Sequence, residues 1–476
     1  MGSNRLAWGK CRTLIIPLLA ATVLACSSNA ATMSPTATTV SQPPSVQPPS
    51  AQPSSAQPPS SSAQAVDIGS LGPVTINVSH YGNSPGIKAS FDARFAAFKA
   101  KYPNVTINVT VKGFDDYLKV IKLALTSSDA PDVFEGNQGW GLDDELAKAG
   151  LMLPLDKYSA QYGWPAVFGN SIGQLEYSSD GKQWGTGVLY GVSPAGENVG
   201  VYYNNAKLAQ LGLTAPPATA DEFVALLQKA KAAGEPPIML GAAEKWPILH
   251  VWGGILGWYQ AASVSNDWIY GKTGSTFDTP ENIQAATTIQ DWGKAGYFGT
   301  NFNGIAYDDA WAKFAGGQGV MLIGGDWLMQ GIADKMGDNV TFALFPPGPS
   351  GKHVATGSLS GSWHISTHCQ HPDVAAALLA SMVGPEAAND MLSANRVPVA
   401  LTSPLPSGLD QHVTQLIETL NTLNAEGGLV LYSDFASPTM IDTMSSKAQE
   451  LLAGRITPQQ FVQAVQADWV AFHKNG

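Results

Sequence analysis

The sequence predicts an α/β protein whose folded part is long enough for two domains, and three observations lead to this class. Apolar and polar residues alternate in "VTINVSHYG" (74–82) and "VTINVTVKG" (105–113), as they do in β-strands. Between them, "IKASFDARFAAFKAKYP" (87–103) has apolar residues at helical spacing. About 400 residues follow position 73, which exceeds the usual size of one domain.

The first predicted elements form a β-α-β-α-β unit. A helix in "DYLKVIKLALTS" and a short strand in "PDVFEGN" (131–137) follow the second strand. Such units build a largely parallel sheet, and ligands of these sheets bind beyond the carboxyl ends of the strands. Four polar side chains fall at the predicted strand ends, and we expect them to contact a ligand: Tyr81, Asn83, Glu135 and Asn137.

The middle of the chain continues the alternation of strands and helices. The segment 143–158 predicts a helix that ends at Gly150, and 190–212 predicts a strand, a polar break, a second strand and a helix. In "TADEFVALLQKAKAAG", Thr219 has the position of an N-cap and Glu222 that of its capping-box partner. We therefore expect a well-defined helix there, ending at Gly234.

The last part of the chain has the same character. The stretch 307–332 predicts a helix, a glycine turn, a buried strand and a loop in which Asp326 and Trp327 lead into another helix. A strand that begins at Val340 meets the proline-rich "FPPGPSG". Amphipathic helices are predicted in 371–384 and 445–472.

The N-terminus has the features of an export signal followed by a tether. Basic residues precede an apolar run, Thr13–Ala25, that is too short to span a bilayer as a helix. The motif Val23-Leu24-Ala25-Cys26 resembles a bacterial lipobox, which implies a signal peptide over 1–25 and lipidation of Cys26, with an ordinary signal as the alternative. The Pro-, Ser- and Gln-rich composition of 26–72 is typical of an extended tether.

Charge and cysteine content exclude several functions. The net charge is −11 with no basic patch, so no nucleic-acid partner is expected. After removal of the signal and lipidation of Cys26, only Cys369 remains, so no intrachain disulfide is expected. Arginine, the usual ligand of carboxylates and phosphates, occurs only at positions 94, 396 and 455 of the mature chain, which makes an anionic ligand less suitable.

Six stretches, in their order along the chain, resemble the family 1 extracellular solute-binding proteins of carbohydrate ABC importers. They are "YPNVTINV", "APDVFEGN", "AKAGLMLPLD", "YGVSPAGENVGVYYNNAKLAQLGLTAPPATADEF", "KFAGGQGVMLIGGDW" and "HPDVAAALLASMVGPEAANDML", and they span about 74–470. "EKWPILHVW" (244–252) is similar to a W-x3-H-x-W stretch of the glucose- and mannose-binding subgroup, and maltose-binding members are also similar.

The resemblance implies a two-lobed periplasmic-binding-protein type fold, with hinge-linked lobes and a ligand cleft between them. Lobe 1 is expected to comprise 73–194 and 346–400, and lobe 2 to comprise 195–345 and 401–476. The hinge crossings are expected near Ser193–Glu197, Phe345–Gly348 and Val397–Ser403. Such a receptor is not an enzyme and needs no cofactor; it is expected to act as an extracytoplasmic monomer, held to the membrane by its lipid alone, that delivers solute to ABC permease subunits with a cytoplasmic ATPase.

A sugar ligand would suit the residues that the resemblance places at the cleft. The apolar face of a pyranose stacks on an indole, and its hydroxyls bond to acids, amides or an arginine. The alternatives are structural roles without ligand contact: an N-cap for Asp326, core positions for the tryptophans and hinge roles for Glu197 and Arg396. The candidate ligand residues are Tyr81, Asn83, Glu135, Asn137, Glu197, Trp246, His250, Trp252, Asp326, Trp327, Arg396 and Asp434.

Three rival functions remain open from the sequence. In "WHISTHCQHPD", the residues His364, His368, Cys369 and His371 have spacings compatible with zinc, although they straddle a predicted strand-to-helix transition, so no metal is expected. No nucleophile or nucleotide-binding motif is present, but Glu135 and Asp326 could form a glycosidase-like pair. Aromatic rings with acids also recognise cations, so a polyamine or osmolyte is the main alternative to sugar.

Overall fold

The strands of this protein form two large sheets and a two-stranded ribbon in a computed structural model that describes residues 66–178, 180–401 and 404–474. The strands in chain order are β1 (Val74–His80), β2 (Val105–Val111), β3 (Val133–Glu135), β4 (Glu176–Tyr177), β5 (Val188–Leu189), β6 (Gly191–Val192), β7 (Ala195–Asn204), β8 (Ile238–Met239), β9 (Met321–Gly325), β10 (Val340–Ala343), β11 (Ala355–Leu359), β12 (Trp363–Ile365), β13 (Val397–Pro398) and β14 (Leu429–Val430).

Helices cover the outer faces of both sheets. In chain order they are α1 (Pro85–Lys101), α2 (Phe114–Ala124), α3 (Asp143–Lys148), α4 (Asp156–Tyr162), α5 (Trp164–Phe168), α6 (Asn205–Gln210), α7 (Ala220–Ala232), α8 (Ile248–Leu256), α9 (Ala262–Ile269), α10 (Pro280–Ala295), α11 (Tyr307–Ala315), α12 (Met329–Met336), α13 (Pro372–Met382), α14 (Pro385–Ser393), α15 (Gln411–Glu426), α16 (Met440–Leu452) and α17 (Pro458–His473).

The first sheet has the order β2-β1-β3-β12-β6. Strands β2, β1 and β3 are parallel, which confirms the predicted β-α-β-α-β unit, whereas β12 runs antiparallel to both of its neighbours. Alternation along β1 buries Val74, Ile76 and Val78 and exposes the residues between them. The prediction of a largely parallel sheet therefore holds for its N-terminal half only.

Helix α1 shows how local sequence and packing agree. Pro85 occupies its first turn, where a missing N–H costs nothing, and the helix ends before Pro103. Phe91, Phe95 and Phe98 are buried on its inner face. The first two of these rings contact the indole of Trp363 in β12, so the helix is held on the sheet by aromatic packing.

The second sheet has β7 at its centre. Its order is β14-β11-β7-β9-β8, and β10 and β13 also pair with β7. Nearly all of β7 is buried, because helices and neighbouring strands cover both of its faces. On helix α7, the Thr219 hydroxyl accepts from the backbone N–H of Glu222, as predicted, while the Glu222 carboxylate accepts from Ala218 rather than from the cap itself.

The chain passes between the two sheets three times. It leaves β6 of the first sheet and enters β7 of the second at residues 193–194. It returns from β11 to β12 across 360–362, and it passes from α14, which packs on α1, to β13 across 394–396. We call the part that carries the first sheet the first lobe, and the part that carries the second sheet the second lobe.

Two predicted lobe boundaries are wrong. Strand β11 pairs with β7, so 346–359 belongs to the second lobe and the crossing lies at 360–362 instead of Phe345–Gly348. Strand β13 also pairs with β7, which moves the last crossing ahead of Val397. The body begins before residue 73, because Ile68 is buried in the first-lobe core and its carbonyl accepts from the Asn104 side chain.

Several predictions concern residues outside the described ranges. These are the signal peptide, Cys26 and most of the tether, together with residues 402 and 403 of the expected third crossing. Within the described ranges, no helix combines the length and the apolar character needed to cross a bilayer.

Candidate functional site

A cavity of about 460 Å³ lies between the two lobes. Segments that follow β1, β2 and β3 line one side of it, as the rule for carboxyl ends of parallel strands predicts. Residues from β7, from helices α8 and α11 and from the segments after β9 and β14 line the other side. Its volume lies in the range of about 300–1,000 Å³ that is typical of small-molecule sites.

Aromatic side chains dominate the second-lobe wall, with His250 at their centre. The ring centroids of Trp246 and Trp327 lie 5.4 Å and 5.6 Å from that of His250. Tyr307 and Tyr432 lie 6.0 Å and 6.5 Å from it. Burial lowers the pKa of His250 to about 3, so its imidazole is neutral at ordinary pH.

Trp327 is held rigidly against this wall. Its indole Nε1 donates to the hydroxyl of Tyr307 at 3.1 Å. A Cβ at Gly325 would stand only 2.0 Å from the Trp327 ring, so the ring lies directly on the backbone of β9 and requires glycine there. The indole is thus fixed for stacking before any ligand arrives.

Trp246 reaches across the cavity and contacts the first lobe. Its ring centroid lies 5.8 Å from that of Phe114, and its Nε1 donates to an Asp115 carboxylate oxygen at 3.5 Å. Burial raises the pKa of Asp115, and the bond from Trp246 opposes that rise. One end of the cavity is therefore closed by a contact between the lobes.

The first-lobe wall is polar and braced by the chain behind it. The backbone N–H of Asn137 donates to Asp143 at 2.9 Å, and Asp143 also accepts from Ser362 and contacts His364 Nε2 at 3.1 Å. Next to it, the Gln138 amide group donates to the carbonyls of Leu359 and Ser360, at 3.0 Å and 2.8 Å.

These two bonds fix the orientation of the Gln138 amide. The alternative orientation would place its oxygen against two carbonyl oxygens. The side chain is 2% exposed, and its Oε1 is buried without a hydrogen-bond partner. Gln138 therefore holds an unused acceptor directly beneath the cavity wall.

Four charged residues from both lobes, three of them behind the wall and Glu197 on it, form what we call the Arg396 group: Arg396, Glu135, Glu197 and Asp326. The three carboxylates all act electrostatically on the guanidinium, yet no ion pair within 4.0 Å joins Arg396 to them in the described chain. Its Nη1 is buried without a hydrogen-bond partner.

Burial dominates the chemistry of the Arg396 group. It raises the pKa of Glu135 and of Glu197 to about 8 and that of Asp326 to about 7, and Arg396 partly offsets each rise. Burial also lowers the pKa of Arg396 itself. Three acids with one cation in a low-dielectric region hold protons at neutral pH more readily than exposed acids do.

Eight of the twelve predicted ligand residues line the cavity, and they come from both lobes. From the first lobe, Tyr81 is braced by bonds to Glu135 and to the Gly136 carbonyl, both at 3.0 Å. Glu197, the only member of the Arg396 group on the wall, is near the Tyr432 hydroxyl, which donates to it at 3.4 Å. The eight are Tyr81, Asn83, Asn137, Glu197, Trp246, His250, Trp327 and Asp434.

Three predicted ligand residues lie one layer behind the wall. Glu135 accepts from the backbone N–H of Tyr81 and approaches Gly361 so closely that a Cβ there would clash with it at 2.4 Å. Asp326 accepts from the backbone N–H of Asn198 at 3.2 Å, and the backbone N–H of Trp327 also acts on its carboxylate. Arg396 lies 5.8 Å from the ring of Phe91. None of the three lines the cavity wall, so their assignment as ligand residues remains a prediction.

Trp252 is the fourth predicted ligand residue that does not line the cavity wall. Trp252 and His250 are two positions apart on helix α8, so they point about 200° apart around its axis. His250 faces the cavity, and Trp252 packs in the second-lobe core against Phe277 and Phe461. Trp258 and Trp268 are also core residues that contact neither wall.

The sequence alone did not indicate several wall residues. Tyr307 begins α11 and Tyr432 precedes Asp434 by two positions, so their proximity to predicted residues was the available signal. Gln138 directly follows the predicted Asn137, but its position depends on bonds to the carbonyls of Leu359 and Ser360, which are distant in the sequence. Further wall residues with acidic, amide or aromatic side chains include Phe114, Asp115, Asp116, Gln138, Glu244, Tyr307, Asp308 and Tyr432.

The rival sites do not assemble. His364 is fully buried and bonded to Asp143 and to the Tyr190 carbonyl, away from His371 at the start of α13. Among the described residues, no group of three or more potential ligands could hold a metal ion. Glu135 and Asp326 both lie off the cavity wall, so the glycosidase-like pair has no access to a substrate.

Comparisons with known proteins agree with this architecture. The family model of the bacterial extracellular solute-binding proteins matches residues 81–389. A multiple sugar-binding protein of Streptococcus mutans is 24% identical over 314 residues, which cover 62% of this chain and 68% of that protein. A binding protein of Brucella abortus is 25% identical over 59% of this chain and 64% of its own length.

A solved structure extends the agreement to the fold. The chain superposes on a chitin oligosaccharide binding protein with a TM-score of 0.73 and 24% identity, over 84% of this chain and 99% of that one. A likeness at this identity establishes the two-lobed architecture, and the matched chain is covered almost completely.

Proposed function

This chain belongs to the bacterial extracellular solute-binding protein family, and on that premise we propose that it is a lipid-anchored receptor that captures a sugar for an ABC importer. The observation that carries the proposal is the asymmetric cavity between its lobes. A cluster of aromatic rings stands on one side, and a braced polar wall stands on the other. A pyranose has an apolar face for the rings and hydroxyls for the acceptors.

The rings of the second lobe provide the stacking surface. Trp327 is fixed by Tyr307 and by the backbone at Gly325, so little side-chain entropy is lost when a sugar packs on it. Sugar hydroxyls would donate to the carboxylate of Asp434 and, after a small rearrangement of the buried amide, to the Gln138 oxygen. A mono- or short oligosaccharide bound in this way contacts both lobes at once.

Capture requires that the lobes move about the three crossings. Gln138 is bonded to the carbonyls of Leu359 and Ser360, next to the crossing at 360–362, so a ligand on its oxygen acts directly on the hinge. A ligand that contacts both walls stabilises the closed arrangement by its differential affinity for it. The mechanism is binding and release, without covalent chemistry.

Relatives support the choice of sugar over other solutes. One matched protein is described as a multiple sugar-binding protein and one matched structure as a chitin oligosaccharide binding protein. The remainder of the proposal follows from the sequence: a lipid on Cys26, a tether, and delivery to permease subunits with a cytoplasmic ATPase. Release of a Cys26→Ser variant from membranes tests the anchor, and retention of that variant would contradict it.

A thermal-shift screen of the mature chain, residues 26–476 with Cys26→Ser, tests the function. Sugars, polyamines, betaines and divalent metals are added separately, because a ligand of the native state raises the Tm by mass action. We expect a saccharide to raise the Tm, and calorimetry then gives its affinity. Stabilisation by a polyamine or a metal alone would contradict the proposal.

A matched pair of tryptophan variants links the response to the cavity. Trp327→Ala removes a wall indole, and we expect it to weaken sugar binding by at least about tenfold. Trp292→Ala removes a buried indole of the second-lobe core, on α10 outside the wall, and serves as the control. Equal losses in the two variants would mean that the effect comes from stability and not from stacking.

A further inference from the structure

The cavity wall has an unusual charge balance. Six of its described residues are acids, and none is a lysine or an arginine. The wall therefore repels uronic acids and phosphorylated sugars, which carry negative charge. The six acids are Asp115, Asp116, Glu197, Glu244, Asp308 and Asp434.

Five of these six acids already interact with a hydrogen-bond donor or a basic group of the protein. Asp116 pairs with Lys119 at 3.1 Å, and Asp308 accepts from the indole of Trp311 at 3.0 Å. Glu244 accepts from the backbone N–H of Tyr307 at 3.0 Å. As described above, Trp246 donates to Asp115, and Arg396 acts electrostatically on Glu197.

Asp434 differs from the other five. Within the described chain it forms no ion pair, and its own backbone N–H is the one donor that acts on its carboxylate. Burial raises its pKa to about 6, so it remains mostly ionised at pH 7. Asp434 and Glu197 both act electrostatically on the hydroxyl of Tyr432, which places the two carboxylates around this ring.

Two further wall groups are buried without a hydrogen-bond partner. They are Oε1 of Gln138 and Nδ1 of His250, on side chains that are 2% and 3% exposed. The oxygen accepts hydrogen bonds only, and the neutral imidazole carries no charge that would repel a cation. Both atoms have almost no accessible surface, so they lie beneath the wall and place no positive charge on it.

The aromatic rings complete the pattern. Trp246, Tyr307, Trp327 and Tyr432 surround the neutral His250 on the same wall as Asp434. Rings of this kind attract a cation over their faces, and an acid beside them adds a charge-assisted bond. The wall thus offers acceptors and ring faces, and it lacks fixed cations.

We propose that the sugar captured here carries a free, protonated amine, and that its ammonium group binds at Asp434 beside these rings. The inference rests on the sugar-receptor function proposed above and names the class of sugar. An ammonium provides three donors and no acceptor, which matches a wall of acceptors. An N-acetylated sugar has the same skeleton but places a neutral amide at that position.

The test compares sugars that differ at one carbon. D-glucose, D-glucosamine, N-acetyl-D-glucosamine and the corresponding β-1,4 disaccharides are titrated into the mature chain by calorimetry at about pH 6.5, below the ordinary pKa range of amines. We expect the amine to bind about tenfold more tightly than both neutral sugars. We expect added salt to reduce that preference.

Two variants assign the preference to Asp434. Asp434→Asn keeps the shape and removes the charge, and it should bring the affinity for the amine close to that for the neutral sugar. Asp309→Asn removes the same charge from α11 outside the wall and should keep the preference. Loss of the preference in both variants would contradict a role for Asp434.

The outcomes separate this inference from the function on which it rests. Tight binding of glucose or its disaccharide without a preference for the amine would contradict the inference and leave the sugar receptor intact. Stabilisation by spermidine or betaine, with no response to any saccharide, would contradict both. An unchanged preference in Asp434→Asn would overturn the assigned position of the ammonium group.

Discussion

Acidic side chains cluster at two places between the lobes, the Arg396 group and the cavity wall. Only the first of these clusters contains a basic residue of the protein. In the Arg396 group, three buried carboxylates share one guanidinium. On the cavity wall, six acids stand without any lysine or arginine among the described wall residues. Glu197 belongs to both, because it extends from β7 between them.

We infer from this difference that the acids have two roles: those of the Arg396 group affect stability, and those of the wall affect ligand binding. Behind the wall, the cation is part of the protein, so changes there should alter stability and its dependence on pH. On the wall, Asp434 forms no ion pair within the described chain, so compensation of its charge is left to the ligand and a change there should alter affinity. The predictions below test this separation in order of decreasing expected effect.

The largest effect is expected for Arg396→Met, which removes the cation and keeps much of the buried volume. We expect a loss of about 3 kcal/mol in the free energy of unfolding at pH 8, because three buried acids lose their compensation. At pH 6 the loss should be smaller, since the raised pKa values keep these acids protonated in the folded state. Urea unfolding at the two pH values measures both.

A second buried arginine provides the control for this variant. Arg94 is 6% exposed and lies 3.5 Å from both Glu386 and Asp390, which are closer to solvent. Arg94→Met should therefore destabilise the first lobe by a similar amount at pH 6 and pH 8. The same pH dependence in both variants would show that the Arg396 group is not special.

Wild-type stability should also depend on pH in a defined direction. The folded pKa values of Glu135, Glu197 and Asp326 exceed those of the unfolded chain, so the folded state binds more protons and stability falls as pH rises toward 8. His80 and His250, whose pKa values are lowered to about 4 and about 3, have the opposite effect but only below pH 6.5.

Burial also raises the pKa of Asp144 and of Asp434 to about 6, so these two acids change stability mainly below pH 7. The window from pH 7 to pH 8 therefore reports mainly on the Arg396 group. We expect the Tm to fall across it in the wild type, and to fall less in the double variant Glu135→Gln, Asp326→Asn. Calorimetric scans in buffers of equal ionic strength make the measurement. A wild-type Tm that rises over this window would contradict the raised pKa values.

Much of the fold could be predicted because its signals are local. The alternation in 74–80 and 105–111, the phenylalanines of α1 and the Thr219 cap each depend on neighbours within a few residues. The position of Trp327 at the end of a buried strand was equally local. In these segments, local preference agrees with the observed elements, although Val109 and Val111 at the end of β2 remain exposed.

Which site residues lie on the cavity wall and which lie behind it could not be predicted from neighbouring residues in the sequence. Members of the Arg396 group come from β3, β7, the end of β9 and the third crossing, so only tertiary packing decides that they lie behind the wall. Strand β11 was not predicted from the sequence, and its pairing with β7 makes 355–359 a buried strand. Helical geometry alone shows that His250 and Trp252 could not both face the cavity, because they point about 200° apart.

The smallest predicted effect concerns the first-lobe wall. Gln138→Met keeps the length of the side chain and removes both the unused acceptor and the two bonds to the carbonyls of Leu359 and Ser360. We expect sugar affinity to fall by about fivefold, which corresponds to one hydrogen bond of about 1 kcal/mol. Calorimetry measures the affinity, and the Tm without ligand records the separate cost of leaving two carbonyls unpaired.

Gln138→Glu distinguishes the two contributions. It keeps an oxygen acceptor but loses the amide donor, so the carbonyls of Leu359 and Ser360 would face a carboxylate instead. If the acceptor matters for the ligand, affinity should fall less than in Gln138→Met once both are compared well below their Tm. If both variants lose affinity in proportion to their loss of Tm, Gln138 supports the crossing only, and the second-lobe wall alone holds the ligand.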